Sequence, residues 1–375
     1  MNKIAIISLS HLHQDPRVYR QIDALKIDYE IITAGITSIG IPGIPFFKLD
    51  FFGKKIYQRA FWMKLTKKYE NFYWQYANFH ELGLYLRKEK PDIIIANDID
   101  MLPVAIQNKG CAKIIFDAHE YSPLENDESF LFRFLFKPYK EWLVKNYVHM
   151  ADSMMTVSNG IAEQYFHVTN KRPVVVTNSP KYQQLSPSPV NSNKIKLVHH
   201  GAAIPERNLE INIGVMKYLP KNKYEMHLYL VPTDEKYLKK LKRLGLKFPN
   251  VFFHEPVAMI DIAKTINQYD IGIYLLKDIN FNTSNALPNK FFEFIQARLA
   301  LATGPSPEMA KIITANNIGI VSSNYEPCIL AEKIMDLTPE KIQEFKSNSD
   351  KVAYDYSAEK NKDIILGMVA ELINN

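Results

Sequence analysis

The chain has 375 residues, 47% apolar and 23% charged, which excludes a disordered polymer and suits two domains of ordinary size better than one core. Its net charge of +6 is too slight for a dedicated nucleic-acid binder, but it suits an anionic small ligand or an anionic membrane surface. Two distant cysteines, Cys111 and Cys328, supply neither a disulfide framework nor a Cys-rich metal site, and they fit a reducing cytosol.

The run Met1–Ser8 is only briefly apolar, so no signal peptide is expected. No stretch approaches 18 apolar residues, and the expected location is the cytoplasm. Ile- and Val-rich runs at 3–8, 29–33, 92–96, 113–117, 153–157 and 173–177 read as parallel strands covered on both faces, with helices between them. After the first strand, Asp15 and Pro16 read as the cap and first residue of a helix that buries Val18, Ile22 and Leu25. Arg17 and Arg20 read as exposed residues of that helix; a role for Asp15 and Arg17 on an acceptor side is the alternative.

Segments 45–78 and 130–147 interleave aromatics with lysines. Either the aromatics are core and the lysines a solvated face, or the surface meets a membrane and its lipid-linked molecules. Strand 92–96 leads to Asn97, Asp98 and Asp100, and strand 113–117 leads to Asp117, His119 and Glu120. A histidine beside carboxylates at strand ends can position a sugar or stabilise charge, or it can serve the structure alone. Asp98-Ile99-Asp100 matches a bare D-x-D metal pattern, but no supporting ligand spacing accompanies it. Helix or loop capping is the preferred role of Asp98, and no metal site is expected.

Segment 181–193 loses its hydrophobic pattern and reads as an interdomain linker. The strand rhythm restarts at 195–199, 224–230, 251–254, 270–276, 299–303 and 318–321. The expected organisation is a first domain over 1–180, the linker, a second domain over 194–354, and a helix over 355–375 that returns toward the first domain. The expected fold class is α/β, with two doubly wound Rossmann-like domains facing a cleft lined by the carboxyl ends of their strands.

In the loop His200–Arg207, Gly201 permits a sharp turn or close approach of a ligand, and Arg207 could fork onto a diphosphate. The plain alternative is a surface arginine at the start of a helix over 208–219. No G-x-G-x-x-G and no P-loop occurs. Further on, Pro288 suits a first helical position, so the helix start would present unpaired N–H groups to an anion. Lys290 lies in that first turn, where a cation opposes the helix dipole unless a phosphate is near. Glu293 shares its face and could accept from ribose hydroxyls. A solvated Lys290–Glu293 pair is the alternative, while Phe291, Phe292 and Phe294 read as core.

In this order the pieces resemble family-4 retaining glycosyltransferases of the GT-B fold, over nearly the whole chain. DPRVYRQIDALK is similar to that family's first helix, NDIDMLP and FDAHEY to its acceptor-side strand ends, and ADSMMTVSNGIAEQYF with VVVTNSP to the close of its first domain. HHGAAIPERNLE resembles its glycine loop and LPNKFFEFIQARLALATG its donor-binding helix. The resemblance implies a diphosphate contact for Arg207, a ribose contact for Glu293, and a place for His119 near the donor sugar. Two positions depart from it: Ala286 stands where a glutamate often touches the donor sugar, and Ala202 where many members have arginine. Diphosphate neutralisation would then fall on Arg207, Lys290 and the helix start around Pro288 and Asn289. Sugar contacts would fall on Asn282, Ser284 and Asn285.

The resulting expectation is metal-independent, cofactor-free, retaining transfer of a sugar from a UDP- or GDP-sugar to a saccharide or lipid-linked saccharide, in bacterial surface polysaccharide synthesis. Asp15, Arg17, Asp98, Asp100 and Glu120 would line the acceptor side. The alternatives are a catalytically silent subunit of a polysaccharide assembly complex and a nucleotide-sugar epimerase of the same fold. No nucleic-acid partner is expected, and peripheral membrane contact and oligomeric state are left open.

Overall fold

The computed structural model describes residues 1–51 and 56–374; residues 52–55 of the basic-aromatic segment 45–78 lie outside the described residues. The chain divides into two compact units. The first comprises Met1–Asn178, Ile279–Asn285 and Asn361–Asn375; the second comprises Ser179–Asp278 and Ala286–Lys360.

The first unit is built on seven parallel strands: β1 (Lys3–Ser8), β2 (Glu30–Gly35), β3 (Phe46–Lys48), β4 (Ile93–Asn97), β5 (Lys113–Ala118), β6 (Ser153–Thr156) and β7 (Val174–Val175), in the order β3-β2-β1-β4-β5-β6-β7. The strand β3 was not expected from its sequence, because its three residues carry no long apolar run. The second unit has six parallel strands: β8 (Ile195–Ala202), β9 (Tyr224–Val231), β10 (Val251–His254), β11 (Ile271–Tyr274), β12 (Ala300–Thr303) and β13 (Gly319–Val321), in the order β10-β9-β8-β11-β12-β13. The continuous apolar runs have their cause here. Ile4 and Ile6 on one side of the first sheet, and Ala5 and Ile7 on the other, enter separate cores, so neither face meets water.

Each sheet reverses its strand order once. β1 lies between β2 and β4, and β8 lies between β9 and β11. At such a switch point the loops leaving the two central strands diverge and leave room for a ligand beyond the carboxyl ends. The reversal therefore singles out the ends of β1 and β4 in one unit and of β8 and β11 in the other.

Segment 181–193 has no regular structure, but it is not a loose tether. Gln183 O accepts from Arg298 Nη2 at 2.7 Å, Ser188 Oγ donates to Asn267 O at 2.6 Å, and Val190 N–H donates to Gln343 Oε1 at 3.0 Å. The stretch is laid along the second unit by hydrogen bonds that its polar composition did not reveal. The terminal helix Ala358–Asn374 buries Ile365, Met368 and Val369 in the core that holds Ile4, Ile6 and Val18. Among the described residues, no helix is long and apolar enough to cross a membrane.

Candidate functional site

At the end of β8 the chain turns through Gly201, whose φ is +123°, a conformation that a side chain rarely tolerates. A Cβ there would lie 2.9 Å from Lys290 Nζ and 3.4 Å from Arg207 Nη1. The glycine is thus the floor beneath two converging cations. Arg207 ends a short 3₁₀ turn, Pro205–Arg207; regular α-helix follows only over Glu210–Gly214, so the expected helix over 208–219 is shorter and less regular. Lys290 stands in the first turn of the helix Asn289–Gln296.

That helix begins one residue later than its sequence suggested. Pro288, with φ −71° and ψ 150°, is the extended residue before it, and no side chain caps the N-terminus. Phe291, Phe292 and Phe294 are fully buried and anchor the helix, which leaves Lys290 and Glu293 on its other faces. Both of those are buried as well, each 6% exposed, yet they form no ion pair with one another. Glu293 Oε2 instead lies 3.3 Å from His200 Nε2, without hydrogen-bond geometry.

Neither Lys290 nor Arg207 makes a hydrogen bond or ion pair among the described residues; Lys290 Nζ sits 5.2 Å from the centre of the Tyr274 ring, at the end of β11. Burial and the neighbouring Arg207 charge pull the Lys290 ammonium down to about 7, against the opposing pull of Glu293. The same two causes act on the histidines of β8. Burial, then Lys290 and Arg207, bring His199 down to about 3, while its Nδ1–H donates to Ile273 O at 2.8 Å. His200 is lowered too, by burial and then by Lys290. Two cations crowded over one glycine beside an uncapped helix start form a place where an anion relieves repulsion and desolvation together.

The first unit carries a second cluster. Asp117, at the end of β5, is fully buried and accepts a two-pronged contact from Arg17: Nε to Oδ2 at 2.7 Å and Nη2 to Oδ1 at 2.6 Å. Arg17 is 6% exposed, so its reading as a solvated helix residue is corrected; tertiary pairing draws it inward. Asp15 caps the same helix, accepting from the N–H groups of Arg17 and Val18. Burial alone would raise the Asp117 carboxyl, but Arg17 and His119 outweigh it and hold the group at about 2.

His119 Nε2–H donates to Asn97 Oδ1 at 3.0 Å, and Nδ1 lies 3.3 Å from Asp98 Oδ2. Burial lowers its basicity, yet the carboxylates of Asp98 and Asp117 raise it to about 9, so the ring is an imidazolium at neutral pH. Asp98 precedes the turn Ile99–Met101 but does not cap it with its side chain; Oδ1 accepts from the His119 N–H at 3.3 Å, so what it caps is the loop after β5 and not a helix. Asp100 accepts from Lys140 Nζ at 2.7 Å. Burial and the nearby Glu125 push the Glu120 carboxyl up to about 8. Among the described residues, no three His, Cys, Asp or Glu side chains are grouped to hold a metal ion.

Asn282, Ser284 and Asn285 belong to the first unit, not to the unit that holds Lys290 and Arg207. The Asn282 amide is spent on both backbone groups of Tyr121, at 2.8 and 3.2 Å. Ser284 Oγ donates to Asn280 O and Asn285 Nδ2 to Phe281 O. Asn97 and Asp117, placed at strand ends by the sequence, join the first cluster. Gln21 and Lys140 in the first unit, and His200 and Tyr274 in the second, join without having been singled out; position was the one signal available, since His200 and Tyr274 also sit near strand ends.

No family model matches the chain, and no curated protein matches it in sequence. Solved structures do. HepE of Anabaena, in complex with UDP-glucose, superposes with a TM-score of 0.69 at 13% identity, over 99% of this chain and 100% of that one. A glycosyltransferase from Rickettsia africae gives 0.71 at 13% identity, covering 100% and 99%. Sucrose-phosphate synthase from Thermosynechococcus elongatus gives 0.72 at 12% identity, covering 100% of both. The likeness shows the fold: two parallel-sheet α/β domains, as in GT-B glycosyltransferases.

Proposed function

We propose that the chain is a glycosyltransferase of the family-4 retaining type that binds a UDP- or GDP-sugar on its second unit and transfers the sugar to a saccharide or lipid-linked saccharide. The observation that carries the reading is the convergence of Lys290 and Arg207, neither with a hydrogen bond or ion pair among the described residues, over Gly201. A diphosphate placed there would meet two cations and the free N–H groups at the start of helix Asn289–Gln296. Glu293, on the same helix, would accept from the ribose hydroxyls. The complex of HepE with UDP-glucose supports a nucleotide-sugar as the ligand class.

In this reading charge builds on the leaving diphosphate as the glycosidic bond breaks, and preorganised cations stabilise it without a metal. Engagement of Asp100 with Lys140 favours the metal-free route. The imidazolium of His119 would act on the sugar or acceptor side, with Asp15, Arg17, Asp98 and Glu120 forming its surroundings. Placement in surface polysaccharide synthesis rests on the family resemblance. Ala202 and Ala286, where that family carries arginine and glutamate, favour a binding-only subunit as the second reading.

Calorimetric titration with UDP-, GDP- and dTDP-sugars, with and without chelator, tests the ligand. Arg207→Ala and Lys290→Ala should each remove about 2–4 kcal/mol of transition-state stabilisation. Wild-type turnover in both variants would sink the diphosphate assignment, and tight binding without transfer or donor hydrolysis would establish the second reading.

A further inference from the structure

Two helices of the first unit pack on one another and leave their outer sides bare. The helix Ile56–Thr66 buries Ala60 and Met63 on one side, and on the other exposes Tyr57, Phe61, Trp62 and Leu65. At 100° per residue these four span an arc of about 140°, so the helix is apolar on both of its sides. An α-helix of that kind is normally buried all round. The second helix, Phe130–Leu135, buries Leu135 and exposes Phe130, Leu131 and Phe134. Lys64 joins the pair: its ammonium donates to Phe134 O and lies 3.5 Å above the Phe134 ring. The Tyr57 and Phe136 rings meet at 5.9 Å, and Phe130 stacks on Phe134 at 6.1 Å. Seven large apolar side chains thus stand exposed on these two adjoining helices, with Trp62 65% and Phe130 71% exposed. A single protein rarely leaves such a patch in water without a use for it.

Within the two helices and the residues next to them the charges have one sign, and carboxylates begin at Asp50, Glu70, Glu128 and Glu141. No Asp or Glu occurs in 51–69 or in 129–140, whereas Arg59, Lys67, Lys68 and Arg133 are exposed there. Aromatic and leucine side chains between lysines and arginines match the layering of an anionic bilayer, where rings enter the boundary of the acyl chains and cations meet phosphates. A protein partner with an apolar groove would fit the rings, but it would not require helices that carry cations and no carboxylate.

We infer that helices Ile56–Thr66 and Phe130–Leu135 form a docking surface for an anionic lipid bilayer. Binding adds apolar burial to phosphate contact, so it needs both the rings and the cations. It requires no nucleotide, and it stands or falls apart from the donor site.

The full chain is tested by flotation with vesicles of phosphatidylglycerol and phosphatidylcholine in equal parts, and with phosphatidylcholine alone. Flotation with the anionic vesicles only, weakened by salt and accompanied by a blue shift of tryptophan emission that W62F abolishes, is the expected result. The pair Trp62→Ser and Phe130→Ser should reduce binding at least tenfold, whereas Leu246→Ser, exposed elsewhere on the molecule, should not. Far-ultraviolet dichroism of each variant confirms that it is folded. Failure of the parent to float, flotation of the double serine variant like the parent, or self-association that hides Trp62 would overturn the proposal.

Discussion

Arg17 and Asp117, a hundred residues apart, form a buried two-pronged ion pair with both contacts at 2.6–2.7 Å. It ties the helix after β1 to the end of β5, and Arg17 Nη1 adds a bond to Val176 O at 2.6 Å. Removing Arg17 leaves the buried Asp117 carboxylate with only His119, 3.4 Å away, and the Gln21 amide to compensate it. Arg17→Ala should cost about 3 kcal/mol in urea unfolding, the low end for breaking a buried pair, because those two partners remain. A loss below about 1 kcal/mol would show that the pair contributes little to the fold.

His119 makes the first unit sensitive to alkali. Its basicity is raised from 6.5 to about 9 in the folded chain, so the stabilisation is complete below pH 6.5 and is lost as pH rises toward 9. The loss should reach about 3 kcal/mol at most, since each tenfold change in proton affinity corresponds to about 1.4 kcal/mol. All three tryptophans, Trp62, Trp74 and Trp142, lie in the first unit, so their emission reports its unfolding. His119→Gln should flatten the decline of the urea midpoint between those pH values; an unchanged decline would assign it to other groups.

The second unit should respond in the opposite sense. His199 is lowered to about 3 and His227 to about 4, in each case first by burial, so the unfolded chain takes up more protons than the folded one below pH 6.5. Its stability should fall from pH 6.5 toward 4, while Asp117 protects the first unit until the pH nears its lowered value of about 2. Proteolysis at pH 4.5 should therefore cut first within Ser179–Asp278 or Ala286–Lys360. Initial cleavage in the first unit would contradict that order.

Lys290 predicts how ligand affinity follows pH. Free, it loses its proton near pH 7; beside a diphosphate it regains one, so binding takes up a proton above that pH. UDP affinity should fall by up to about tenfold per pH unit above 7, and Lys290→Met should remove the slope while weakening binding throughout. An equal slope in the variant would place the titrating group elsewhere.

Gly201→Ala tests the floor of the site. Its Cβ would press on Lys290 Nζ at 2.9 Å and strain the backbone at φ +123°. Nucleotide affinity should fall at least tenfold as the ammonium is displaced, whereas Ala202→Gly should bind as the parent does. Undiminished binding by Gly201→Ala would mean that the cations do not meet the ligand over this residue.

Local chemistry carried much of this protein into view from its sequence. Runs such as IIIA before Asn97 and ALAT at 300–303 are apolar on both faces, so their strands and the parallel α/β class follow from burial alone. The approximate start of the helix after Pro288 and the buried face of Phe291, Phe292 and Phe294 are likewise local, set by proline stereochemistry and helical period. Partnership was not local. Nothing near Arg17 announces Asp117, nothing near Asn282 announces the Tyr121 backbone, and the polar segment 181–193 gives no sign that it is stitched to Asn267, Gln343 and Arg298. Those contacts depend on which strand ends the sheet order brings together, so only the tertiary structure decided them. It also decided that Lys290 passes over Glu293, three residues along its own helix, to stand beside Arg207 above Gly201.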